Sequence, residues 1–129
     1  DGGDPMENPT SPTPIYRLHD GRYIQLLQNH DGWGYNGWGP YNSDSRRPQF
    51  LAVGEFRPNA RQPIWFGKPV FLFDTDGIGV APGYRPWLSM YASLTEREGE
   101  RILWYSDRKL FGLGRYLTDK MLDVPIPQP

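Results

Sequence analysis

Pro14-Ile15-Tyr16-Arg17-Leu18-His19-Asp20-Gly21-Arg22-Tyr23-Ile24-Gln25-Leu26-Leu27-Gln28 is the stretch whose reading decides the fold. Two apolar runs of strand length flank Asp20-Gly21, a strong hairpin signal. Tyr16 and Leu18 alternate with Ile15 and Arg17, the period of two of a half-buried strand. In the second run, Tyr23, Gln25 and Leu27 share one face, and Ile24, Leu26 and Gln28 the other. Both faces are partly apolar, so both are expected to be covered.

Working outward, the same unit extends from Pro12 to Asp74. Gln49 to Phe56 reads as a third strand. The turn Arg57-Pro58-Asn59-Ala60-Arg61-Gln62-Pro63 then leads into Ile64-Trp65-Phe66-Gly67-Lys68-Pro69 and the apolar run Val70 to Phe73. This predicts four short antiparallel strands, each pairing with the next. A second unit follows: Leu88 to Leu94, a turn around Gly99, Arg101 to Ser106, and a third strand over Lys109 to Leu117. Only Leu117 to Leu122 suggests a helical turn. The expected organisation is an arm or loop over 1–13, a four-stranded unit over 14–74, a second, partial unit over 75–123 and a tail over 124–129.

The composition agrees with an all-β reading. The 129 residues include 15 Gly and 14 Pro, which favour turns over helices, and aromatics reach 15%. With 14 Lys+Arg against 15 Asp+Glu, charge gives no reason to expect a nucleic-acid partner. No apolar run approaches the roughly 20 residues of a membrane helix, so no membrane partner is expected. There is no cysteine, and the two histidines have no ligand spacing. No metal or cofactor is therefore expected. Asp74-Thr75-Asp76-Gly77 is read as an Asp-Gly turn because the later ligands of a calcium loop are missing. No signal peptide is visible in the chain, which leaves open where the gene product starts.

The two units share a plan of strand, acidic-Gly turn and strand, each ending in a polar cluster: Asn29-His30-Asp31 and Ser106-Asp107-Arg108. Repeated four-stranded antiparallel sheets are the signature of a β-propeller, with roughly 40–50 residues per blade. On that reading the chain supplies about two to three blades. The remainder of the ring is a separate segment or chain that covers the open sheet edges.

Several segments resemble blades of the sialidase (neuraminidase) superfamily. They are Arg46-Arg47-Pro48, Leu51-Ala52-Val53, Trp65-Phe66-Gly67-Lys68-Pro69 and Leu72-Phe73-Asp74. The second unit, Met90-Tyr91-Ala92-Ser93-Leu94 followed by Leu103-Trp104-Tyr105-Ser106-Asp107-Arg108-Lys109, resembles a late segment of that family. The Asp-box of the family, S-x-D-x-G-x-T-W, is represented only by Trp65. The resemblance implies the C-terminal portion of a six-bladed propeller, secreted or periplasmic, hydrolysing an acidic oligosaccharide or polysaccharide. Sugar-cleaving lyases on related propellers are the competing resemblance, and a non-catalytic carbohydrate-binding β-domain is the alternative from another class.

Topology suggests where the chemistry sits. In an up-and-down sheet, the link from the second to the third strand lies at the end where the first strand starts. That end collects Asn29, His30, Asp31, the aromatic loop with Trp33, Tyr35 and Trp38, and Arg46-Arg47. Asp107, Arg108 and the start of the Tyr91 strand join them, with the Asp20-Gly21 and Gly99 turns at the opposite rim. The sialidase resemblance makes Tyr91 a nucleophile assisted by a carboxylate, since a phenol near pKa 10 needs such help; a tyrosine packed at a strand start is the structural reading. Arg47 and Arg108 would clamp a substrate carboxylate, or form structural ion pairs. Arg46, adjacent on a strand, would point to the other face. His30 carries the side-chain type best suited to acid or base work near neutral pH; a loop histidine bonded to backbone is its structural reading. Trp33 and Trp38 offer flat faces to sugar rings, or fill the loop's own core. Asn29, Asp31 and Asp107 complete the expected substrate contacts.

Overall fold

The structure, a computed structural model, describes residues 5–8, 12–30, 47–74, 89–107 and 111–127. Residues 89–91, 107 and 111 are described by backbone alone. The chain is all-β, with antiparallel sheets and one short helix. In order the elements are β1 (Ile15–Arg17), β2 (Tyr23–Leu27), β3 (Gln49–Phe56), β4 (Ile64–Phe66), β5 (Val70–Phe73), β6 (Ser89–Arg97), β7 (Glu100–Asp107), β8 (Phe111–Tyr116) and α1 (Asp119–Leu122).

β1 to β4 form an antiparallel meander, and β5 joins the same sheet by pairing with β3. The fourth strand expected from sequence is thus interrupted. Ile64, Trp65 and Phe66 lie opposite Phe56, Glu55 and Gly54, while Val70 and Phe71 lie opposite Leu51 and Phe50. Gly67-Lys68-Pro69 makes the break. Pro69 has no N–H for a ladder, and a Cβ on Gly67 would come 2.5 Å from the Pro125 carbonyl oxygen. The tail therefore passes over the gap, with Val124 and Ile126 packed against the core.

β6, β7 and β8 form a second antiparallel sheet. Its first hairpin turns on Glu98 (φ 53°) and Gly99 (φ 84°), between the paired Arg97 and Glu100. Two consecutive positive φ values match the twist of the flanking strands. In the first sheet, Gly21 (φ 92°) serves the β1–β2 turn. There Asp20 accepts the Arg22 backbone N–H at 3.0 Å. Both acidic-Gly turns expected from sequence are hairpins.

The two sheets bury their facing sides against each other. Register places Tyr16, Ile24, Leu26, Leu51 and Val53 on one face of the first sheet. They share a core with Phe73, and with Ala92, Leu103, Leu117 and Leu122 from the second half of the chain. Phe73 and Tyr105 meet with ring centroids 4.5 Å apart, and the Tyr16 hydroxyl donates to the Ala92 carbonyl at 3.2 Å. The other face of β2 is covered as well. Leu27 and Ala52 are buried, and the arm reaches over this sheet, where Asn8 Oδ1 accepts the Gln28 N–H at 3.0 Å. Among the described residues neither sheet closes on itself.

Charges fasten the hairpin ends together. Arg101 reaches Glu96 at 2.8 Å, Asp119 at 2.7 Å and Asp20 at 3.2 Å. Glu96 also accepts the His19 backbone N–H at 2.7 Å. Hydrogen bonding from Arg22 holds the Asp20 carboxyl below its usual 3.8, against an opposing push from burial. The hydrogen bond to Asp119, aided by Glu96, raises the Arg101 pKa above its ordinary value.

Three outcomes follow from this packing. Leu51→Ala should cost about 3 kcal/mol in urea unfolding, because the site lies in the centre of the shared core. Arg101→Met should cost about 2 kcal/mol, because it removes the guanidinium that pairs with the nearly buried Glu96 carboxylate and with Asp20 and Asp119. The lowered Asp20 pKa means that its contribution is present above the unfolded value and is lost as pH falls through the folded one. Asp20→Asn should therefore flatten the acid limb of the stability–pH curve below pH 3.8.

Candidate functional site at the strand ends

The hairpin ties fix the relative direction of the sheets. Asp20 meets Arg101, and His19 meets Glu96, so the two acidic-Gly turns lie at one end. At the other end β2 finishes, β3 starts, β6 starts and β7 finishes. Asn29, His30 and Arg47 from the first sheet lie there, together with the backbone of Asp107 and the N-terminal part of β6 that includes Tyr91. Phe73 and Tyr105 pack between the sheets near this end. Asp31, Trp33, Tyr35, Trp38, Arg46 and Arg108 lie outside the described residues.

Ladder irregularities accompany these positions. The β3–β5 register shifts between Gln49 and Phe50. The β6–β7 register shifts between Ser89 and Ser93, the interval that contains Tyr91. Bulges bend a strand and re-aim its side chains, and they are over-represented beside functional sites.

Polar contacts organise the end of the first sheet. Asn29 has φ 59°, a left-handed conformation that asparagine tolerates better than most residues. It turns the chain out of β2. His30 Nε2 then lies 2.8 Å from the Arg47 carbonyl oxygen. That oxygen only accepts, so Nε2 carries a proton. The backbone contact is the one anticipated by the structural reading of His30. Arg47 donates to Asp74 through Nε at 2.8 Å and Nη2 at 2.7 Å. This bidentate pair fixes the plane of the guanidinium. Below it, buried Gln49 donates to the carbonyls of Leu27 at 3.1 Å and Phe50 at 2.9 Å. The amide thus bonds backbone carbonyls of β2 and β3 beside the register shift.

Asp74 and Gln49 belong to this arrangement although sequence reasoning did not single them out for it. Asp74 was readable only as part of an Asp-Gly turn, and its pairing with Arg47 depends on β5 folding back along β3. Gln49 has the pattern of an ordinary strand residue. No group of three or more His, Cys, Asp or Glu among the described residues is arranged to hold a metal.

Comparison with protein-family models, curated proteins and solved structures found no match for the chain.

If the Arg47–Asp74 pair orders this end, the two side chains should be energetically coupled. A double-mutant cycle of Arg47→Gln and Asp74→Asn, read by urea unfolding, should give a coupling of about 1 kcal/mol. A coupling indistinguishable from zero would mean that the pair is a surface contact without consequence.

Proposed function

We propose that this chain supplies two neighbouring blades of a sialidase-like propeller that acts on an acidic glycan. The observation that carries the reading is the convergence at one end of both sheets. Arg47, His30 and Asn29 meet there with the strands that bear Tyr91 and Asp107, and both ladders shift register at that end. The facing packing of two meanders supports neighbouring blades. So does the outer side of the second sheet, where Trp104 and Tyr116 are 44% and 59% exposed. Large apolar groups left on a sheet face suit a further packed neighbour. No helix among the described residues is long and apolar enough to cross a membrane.

In this mechanism Arg47, oriented by Asp74, and Arg108 hold the substrate carboxylate. The Tyr91 phenolate, its proton taken by a neighbouring carboxylate, attacks the anomeric carbon. The bond to the leaving oxygen breaks as an acid protonates that oxygen. Water, giving a proton to the same acid/base group, then attacks the anomeric carbon; the bond to Tyr91 breaks, the phenolate regains its proton from the neighbouring carboxylic acid, and the free sugar is released. The acid/base carboxylate and at least one further arginine come from neighbouring blades.

A second reading, β-elimination on a uronic acid glycan, is supported by the placement of His30 beside Arg47 at this end. Arg47 would neutralise the carboxylate there, while His30 and Tyr91 move the protons. Products separate the chemistries: hydrolysis releases free sialic acid, and elimination creates an unsaturated uronate with a new ultraviolet absorbance. Tyr91→Phe should abolish turnover in either case, measured on the complete protein with intact wild-type fold. Retained turnover contradicts both mechanisms. Saturable glycan binding without either product would leave a carbohydrate-binding domain.

A further inference from the structure

Both sheets carry large apolar groups on the side that faces away from the shared core. Register with Ala52 and Gly54 places Ile15, Phe56 and Phe71 on the outer side of the first sheet. The arm, held to Gln28 by Asn8, leaves these three 48%, 55% and 59% exposed. In the second sheet Leu103 points into the core, so Trp104 points out, and Tyr116 does the same opposite Ile102. Of the large apolar side chains exposed among the described residues, only Leu113 lies elsewhere. Large apolar patches on a folded chain mark places where another surface packs.

The two outer sides are flattened in the same way. On the first, the Phe66 ring lies over Gly54, where a Cβ would come 2.7 Å from it; on the second, the Trp104 ring lies over Gly114, at 2.9 Å. The Thr95 hydroxyl accepts the Trp104 indole N–H at 2.9 Å and fixes that ring. Rings laid along the sheet leave surfaces on which a second sheet can pack face to face, as the chain's own two sheets do. Charge then selects the direction. Arg17 lies on the outer side of the first sheet, near the Asp20-Gly21 hairpin. Glu100 lies on the outer side of the second, at the Gly99 hairpin. Arg97 on that side is engaged by Glu98 at 3.2 Å. Arg17 and Glu100 are both exposed, and the two hairpins lie at the same end of the fold. Stacking the first sheet of one copy on the second sheet of another, hairpin ends aligned, therefore brings a basic position to an acidic one while covering the aromatic groups.

We infer that copies of this chain assemble head to tail through these two outer sides and close as a ring. Different patches meet in such a contact, so every copy keeps one side available for the next until rotation closes the assembly. The size of the ring rests on the propeller reading: with two blades per chain, a ring of about six blades takes about three copies. The remaining blades are then further copies of this chain. With hairpin ends aligned, the strand ends of all copies lie on one rim. The contact itself requires neither Arg47 nor Tyr91.

The test is sedimentation velocity of the full chain over a concentration series. A closed species of about three chains, in equilibrium with the monomer, is expected. Phe71→Glu and Tyr116→Glu each put a charge on one outer side at an exposed position. Each should weaken assembly about tenfold while keeping the wild-type unfolding midpoint. Mixing the two variants should restore a two-chain species, because each copy retains the side that the other lacks. Where an aromatic variant fails to fold, the charged positions decide: Arg17→Glu should weaken assembly, and adding Glu100→Arg to the same chain should recover it. A chain that stays monomeric, a species that grows without limit, or a mixture that remains monomeric overturns the inference. Arg47→Gln should leave assembly unaltered. If the ring forms without acidic-glycan binding or turnover, the inference stands and the strand-end reading fails. If a monomer turns the glycan over, the strand-end reading stands and the inference fails.

Discussion

The apolar contact between the two sheets is the constraint on which the structure depends. Ile24, Leu26, Leu51 and Val53 are almost wholly excluded from solvent, as is Leu103 opposite them. Each buried aliphatic side chain contributes about 1.5–3 kcal/mol. Neither meander could keep such a face exposed to water, so each needs the other. The packing leaves the strand ends with different work. At the hairpin end, Arg101 ties Asp20, Glu96 and Asp119 together, and one arrangement is fixed. At the opposite end the ladders slip, a histidine and an amide bond backbone carbonyls, and an arginine pairs with Asp74. A rigid body with one irregular, polar end is the usual construction of a binding or catalytic site.

Most of the fold was legible because its signals are local. Alternation in Tyr16 to Leu18, the Asp20-Gly21 turn and the Gly99 turn each specify a hairpin without distant information. β8 was also readable despite Gly112 and Gly114, whose presence weakens a strand. Gly114 has a packing reason: a Cβ there would come 2.9 Å from the Trp104 ring. The break of the fourth strand was less legible. Pro69 signals it, but the partner that fills the gap, Pro125, is far along the chain. The tail looked like a terminus because proline-rich ends usually are; here Ile126 packs on the core and Arg57 holds Pro127.

The candidate site was legible in its position but not in its pairings. Meander topology alone collects Asn29, His30 and Arg47 at one end. The Arg47–Asp74 pair depends on long-range register between β3 and β5, which no local pattern contains.

The most direct measurement of the central claim is backbone amide NMR shift mapping of the chain with a sialic acid or uronate monosaccharide. The account predicts saturable shifts at Asn29, His30, Arg47 and Asp107, with the hairpin turns at Asp20-Gly21 and Glu98-Gly99 unmoved. Shifts confined to the hairpin turns, or none at saturating ligand, would contradict it.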